Sequence, residues 1–145
     1  MVELVFVIVV LGILAAVAIP KLAASRDDAI LVKGKSQISA IRSGIVMQKS
    51  KRLLEGTSPF VLPNIDNVTS YNSDNQRLFN FVDGNSSNVL EYPILSKQNS
   101  DGSWVKTAAN KYTFMTEGRS TTFDYNSSTG IFACGSSADC LLLTQ

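Results

Sequence analysis

Histidine is absent from the 145 residues, and only two cysteines occur. The first absence removes the commonest general base, most zinc sites and every Ser/His or Cys/His nucleophile pair. Neither sign of charge dominates. Thirteen Lys and Arg against twelve Asp and Glu leave a net charge of +1, so no global field recruits nucleic acid or steers an acidic substrate. An enzyme would have to work with carboxylate, Lys or Tyr chemistry alone. No catalytic residue is assigned, and the chain is not expected to be an enzyme. The length suits one domain, or one domain with an appendage.

The hydrophobic residues are unevenly spread. From Leu4 to Ile19 the sequence reads LVFVIVVLGILAAVAI, sixteen residues without a polar side chain, preceded by Glu3 and followed by Pro20 and Lys21. As a helix this run is about 24 Å long, and Met1, Val2 and Leu22 to Ala24 extend it to the roughly 30 Å of a bilayer's hydrocarbon core. Three ordinary readings compete. A secretory signal carries a basic segment before its apolar stretch, whereas here the preceding residue is acidic. A buried core helix needs more protein around it than the rest of this polar chain supplies. A simple membrane anchor fits the length but leaves Glu3 unexplained, because a carboxylate near the end of a membrane helix costs a few kcal/mol unless it meets a partner.

The stretch Met1-Val2-Glu3-Leu4 through Gly12-Ile13-Leu14-Ala15-Ala16-Val17-Ala18-Ile19-Pro20 resembles the amino-terminal segment of type IV pilins and type II secretion pseudopilins. The resemblance covers about 25 residues, with the glutamate, glycine, Ala-Ala and Ile-Pro at the family's intervals. It implies an α+β, pilin-like fold, a long helix whose first half spans the membrane packed on a small antiparallel head. It also implies a prepilin peptidase that removes a short basic leader after a Gly, and N-methylation of the new terminus. The register places that terminus two residues upstream of Met1, so Met1 is not expected to be the biological start. Glu3 becomes the candidate assembly residue, and Gly12 and Pro20 the candidate points of kinking or flexibility.

Beyond Pro20, Ile30, Gly34, Ile38, Ile41 and Ile45 draw one apolar stripe along a helix. The amphipathic pattern runs to about Leu54, with Glu55-Gly56 as the stop. Pro20 removes a backbone donor and is expected to kink or locally melt the helix. The expected divisions are 1–24 as membrane or filament-core helix, 25–54 as stalk and 55–145 as head. Residues 21 to 52 hold eight basic and two acidic side chains, and residues 53 to 145 five basic and nine acidic. The basic stalk is read either as a solvated face beside anionic lipid or as a surface for the acidic heads of neighbours. No specific nucleic acid is expected, since no aromatics interleave the basic residues. In the head, a loop with one short helix at 76–82 is expected to precede strands at 89–95, 104–108, 111–117, 120–125 and 130–134. They are expected to form an antiparallel sheet packed on the stripe.

Cys134 and Cys140 enclose Gly-Ser-Ser-Ala-Asp. Two thiols bind a metal only with further ligands, and a disulfide is the better reading if the head lies outside the cytoplasm. Pilins often carry a disulfide near the C-terminus, which agrees. Asn67, Asn85 and Asn126 head N-x-Ser/Thr sequons, and Asp83 and Asp124 stand two residues before the last two, a pattern similar to the acceptor of some bacterial oligosaccharyltransferases. Turn formation is the ordinary role of such residues. Asp124, Asn126 and Ser128 imitate the start of a calcium loop, but Gly135 stands where the closing acid belongs, so no cofactor or metal is assigned. Calcium in the head stays an option through the resemblance alone, because major pseudopilins use it.

The expected function is a structural subunit of a type IV pilus or of a secretion or competence pseudopilus. The resemblance implies a single pass through a bacterial inner membrane, a periplasmic head and polymerisation into a helical homo-oligomeric filament at the cell surface or in the periplasm. The implied partners are the prepilin peptidase and the assembly machinery. The alternative is a periplasmic binding domain on a permanent anchor.

Overall fold

The computed structural model describes residues 1–81, 88–135 and 139–144, with the exception of the Ala23 side chain. Its architecture is α+β: a long amino-terminal helix carries a small antiparallel head on one side. Helix α1, Val2–Glu55, has 54 residues and is about 80 Å long. It is continuous through Pro20, so the expected local melting does not occur there. Pro removes a single donor, and the helical turns on either side keep theirs. Gly56 ends the helix in a left-handed conformation at φ 67°, which returns the Thr57 N–H to the Arg52 carbonyl at 3.0 Å.

Residues 2–22 of α1 are exposed throughout, whereas Gly34, Ile38, Ile41, Gly44, Ile45, Gln48 and Arg52 turn one face inward. The expected stripe is therefore the seam against the head. Two of its glycines are close approaches. A Cβ on Gly34 would lie 2.6 Å from Phe114 Cε1 and 2.9 Å from Leu143 Cδ2, and one on Gly44 would run into the Val89 carbonyl.

The main sheet has strands β3 (Trp104–Ala108), β4 (Lys111–Thr116), β5 (Arg119–Asn126) and β6 (Ile131–Cys134), antiparallel in the order β3-β4-β5-β6. Turn chemistry sets this meander. Glu117 and Gly118 both have positive φ between β4 and β5, the geometry of a two-residue hairpin. Trp104, Tyr112, Phe114, Phe123, Tyr125 and Phe132 point to one face by alternation, and all are buried. Phe79 completes the cluster, with ring centroids 4.8 Å from Tyr112 and 5.5 Å from Trp104. The Trp104 indole N–H donates to Gln37 Oε1 at 3.0 Å, tying the sheet to the stalk.

Two expectations are corrected. The segment read as a short helix at 76–82 contains β1, Arg77–Leu78, which pairs with β2, Ile94–Leu95; Phe79 then takes φ 59°. Long-range pairing overrides the local pattern there, and Val82 lies outside the described residues. The strand expected over 89–95 shortens to β2, where Pro93 brings no donor to a ladder. A second helix, α2 (Asp139–Thr144), was not expected; it buries Leu143 against α1 beside Gly34.

Candidate assembly surface

Glu3 occupies the first turn of α1, where free backbone N–H groups and the positive end of the helix dipole favour a carboxylate. It makes no ion pair among the described residues. The nearest basic residue along the chain, Lys21, lies about 27 Å further up the same helix. Around Glu3 the surface is apolar on every side: Leu4, Phe6, Leu11, Leu14 and Val17 are all well exposed. Gly12 interrupts that surface with a notch, and an added Cβ there would meet nothing within 4 Å. The helix is long and apolar enough to cross a membrane.

The basic stalk is partly consumed by its own head. Lys33 Nζ donates to the Gly102 carbonyl at 2.7 Å, Arg42 Nε to Phe132 O at 3.1 Å and Arg52 Nη1 to Pro59 O at 3.0 Å. Arg26 lies 3.8 Å from Asp101, and Lys51 pairs with Glu55 at 3.8 Å. The contacts of Lys33, Arg42 and Arg52 cap peptide carbonyls at the stalk–head seam, a role that charge counting along the sequence does not separate from solvation. Lys21, Lys35 and Lys49 make no ion pair among the described residues.

Cys134 and Cys140 form a disulfide with Cα atoms 5.8 Å apart. It joins the end of β6 to α2, so the bond holds the terminal helix near the sheet edge. Asn126 lies exposed at the end of β5, and its Oδ1 accepts from the N–H groups of Ser128 at 2.9 Å and Thr129 at 3.2 Å. That is the turn-forming role. Asp124 pairs with Lys111 at 3.1 Å across β4 and β5. No group of three or more His, Cys, Asp or Glu side chains suited to a metal occurs among the described residues. Asn67 lies exposed in the loop after α1, and Asn85, with Asp83, lies outside the described residues.

One buried polar group was not anticipated. Lys106 Nζ lies 2.6 Å from Asp66 Oδ1 and 2.7 Å from Val68 O, and 5.7 Å from the centre of the Tyr112 ring. The Lys106 and Asp66 side chains are 6% and 0% exposed. Burial, followed by the Asp66 charge, holds the Tyr112 hydroxyl well above its ordinary pKa. The pair clamps the loop after α1 onto the open end of the sheet. A signal for it existed: alternation puts Lys106 on the inward face with Trp104, and an inward charge requires a buried partner. Asp66 itself carries no such mark.

No family model, curated protein or solved structure matches the chain.

Proposed function

We propose that the chain is a structural subunit of a filament of the type IV pilus or type II secretion pseudopilus kind, held in the inner membrane by residues 1–24 and then polymerised. One observation carries the reading: a helix apolar and exposed on all sides, with one unpaired carboxylate in its first turn, runs unbroken into a stalk packed on a single side. A helix without a polar face is stable in lipid or among other such helices. In either setting a carboxylate costs several kcal/mol of desolvation unless a cation meets it. No basic residue of the same chain is near Glu3, and the resemblance supplies a partner, the amino terminus of an adjacent copy. The disulfide agrees with a head in an oxidising compartment such as the periplasm.

The test is Glu3→Gln and Glu3→Asp at matched membrane levels, read as sheared-filament yield. Gln is expected to leave insertion and head folding normal while assembly falls sharply, and Asp, with its shorter reach, to be intermediate. Normal assembly by Glu3→Gln refutes the pairing. A folded, membrane-held wild type that never polymerises favours the anchored binding domain instead. Intact mass spectrometry of the membrane-extracted chain reads out the expected processed and methylated terminus.

A further inference from the structure

Lys106 and Asp66 meet where the head excludes water. Lys106 Nζ lies 2.6 Å from Asp66 Oδ1 and donates to the Val68 carbonyl at 2.7 Å, while Oδ1 also accepts from the Val68 N–H at 3.1 Å. The two side chains come from positions 40 residues apart, one in the loop after α1 and one in β3, so only the fold brings them together. Asp66 Oδ2 and the Tyr112 hydroxyl are also buried here, and neither makes a hydrogen bond among the described residues. Burial, and after it the Asp66 charge, keeps that hydroxyl protonated well into alkali. An amine, a carboxylate and a hydroxyl that holds its proton thus share one nearly dry site.

A buried ion pair is a poor end state. Both ions lose their hydration, and their attraction does little more than offset that loss. Condensation to an amide removes both charges. Between free solutes in water the reaction runs the other way, toward acid and amine. Two groups fixed in one site instead react as if at about 10⁵–10⁸ M, provided the reacting atoms stand about 3–3.5 Å apart. A nitrogen 2.6 Å from one carboxylate oxygen is at about that separation from the carboxyl carbon, and rotation about the Asp66 Cβ–Cγ bond turns the face of the group toward it.

We propose that Lys106 Nζ and Asp66 Cγ condense in the folded head to an amide, a side-chain cross-link between the loop after α1 and β3. The ammonium passes one proton to Oδ1, and the neutral amine then adds to Cγ. In the tetrahedral adduct a second proton moves from nitrogen to the same oxygen, the Cγ–Oδ1 bond breaks, and water leaves. One of the three ammonium protons stays on the amide nitrogen, and nothing is oxidised or reduced. The Tyr112 hydroxyl donates to Oδ2, which carries the negative charge of the adduct and remains as the amide carbonyl. In the product both atoms that now lack a partner have one, and the amide N–H keeps its bond to Val68 O. The released water exits through a recess of about 370 Å³ bordered by Asp66, Val68 and Lys106. A freshly folded head holds the ion pair, and the amide accumulates as the protein ages.

The experiment ages the full chain in detergent at neutral pH and follows reduced tryptic digests by mass spectrometry. The amide blocks cleavage after Lys106, so peptides 53–77 and 98–111 are expected as one species, lighter than their sum by one water. Lys106→Arg keeps the charge without the amine and is expected to release peptide 53–77 unlinked at every age. Tyr112→Phe keeps the ring and is expected to slow accumulation about a hundredfold. Trp104 fluorescence checks that both variants fold, and the wild-type digest decides the question even where one does not. Unlinked peptides from aged, folded wild type overturn the amide, as does a linked species that forms equally fast in protein held unfolded in urea. Equal rates in wild type and Tyr112→Phe overturn the part given to the hydroxyl. A filament subunit and an anchored domain would share this head, so the result is independent of whether the chain polymerises.

Discussion

A single methyl group added at residue 44 measures how far the stalk–head seam depends on backbone touching backbone. A Cβ at Gly44 would meet the Val89 carbonyl oxygen head-on, with Val89 C at 2.9 Å and Cγ1 at 3.1 Å. The oxygen and carbon are main-chain atoms, so no change of rotamer relieves the collision. Overpacking of this kind costs about 1–3 kcal/mol. Pushing residues 88 and 89 away also breaks the bond from Gln48 Nε2 to Asn88 O, about 1 kcal/mol more. Against this, Ala in place of Gly in a helix interior stabilises by about 1 kcal/mol. Gly44→Ala is therefore expected to destabilise the head by about 2 kcal/mol. Urea unfolding of the detergent-solubilised full chain reads this through Trp104, the only tryptophan and fully buried. Gly12→Ala, where an added Cβ meets nothing within 4 Å, should leave the same transition unmoved. A Gly44→Ala protein as stable as its parent would show that the seam yields, and that the close approach is incidental.

Asp66→Ala leaves the Lys106 ammonium buried without its carboxylate and is expected to cost about 3–5 kcal/mol, whereas Asp66→Leu with Lys106→Met should recover most of that loss, both read by urea unfolding. Stability should also decline in alkali. Burial pushes Tyr125 up to about 12, and Tyr112 is raised as well, while tyrosines of the unfolded chain titrate near their ordinary value of about 10. From there upward the unfolded chain releases protons that the folded chain keeps, so stability is intact below that pH and falls as the pH climbs toward the folded values. Trp104 fluorescence followed together with tyrosinate absorbance checks this, and a flat stability profile across that window would contradict the burial argument.

The parts of the fold legible in the sequence are those written in periodicity and turn chemistry. The stripe from Ile30 to Ile45 lies where its spacing put it, with Ile30 at its less buried edge, and Trp104–Ala108 has the bounds expected of it because Asp101-Gly102 and Asn110 punctuate it. Strands β1 and β2 were not legible. Two residues carry no period, and their pairing depends on residues 16 to 18 positions away, Leu78 with Ile94 and Arg77 with Leu95. Helix α2 has six residues, fewer than two turns, and begins inside the disulfide loop. At the assembly surface, the exposed apolar face and Glu3 were legible because they need no tertiary information. The buried pair of Lys106 and Asp66 was legible only by half, since Asp66 belongs to the loop after α1 and meets β3 only in the folded head.

The unbroken course of α1 also has a mechanical meaning. Its first ion pair with the head among the described residues is Arg26 with Asp101, and below that point the chain offers one load path, a single helix whose hydrogen bonds act in series. Above it the head is bolted alongside by Lys33, Gln37, Arg42, Gln48 and Arg52, a second spring in parallel with the first. Under tension along the axis, extension is therefore expected to concentrate below residue 26, where Pro20 brings no N–H to the helical ladder. The head is spared: stretch is taken up where no tertiary structure can be lost.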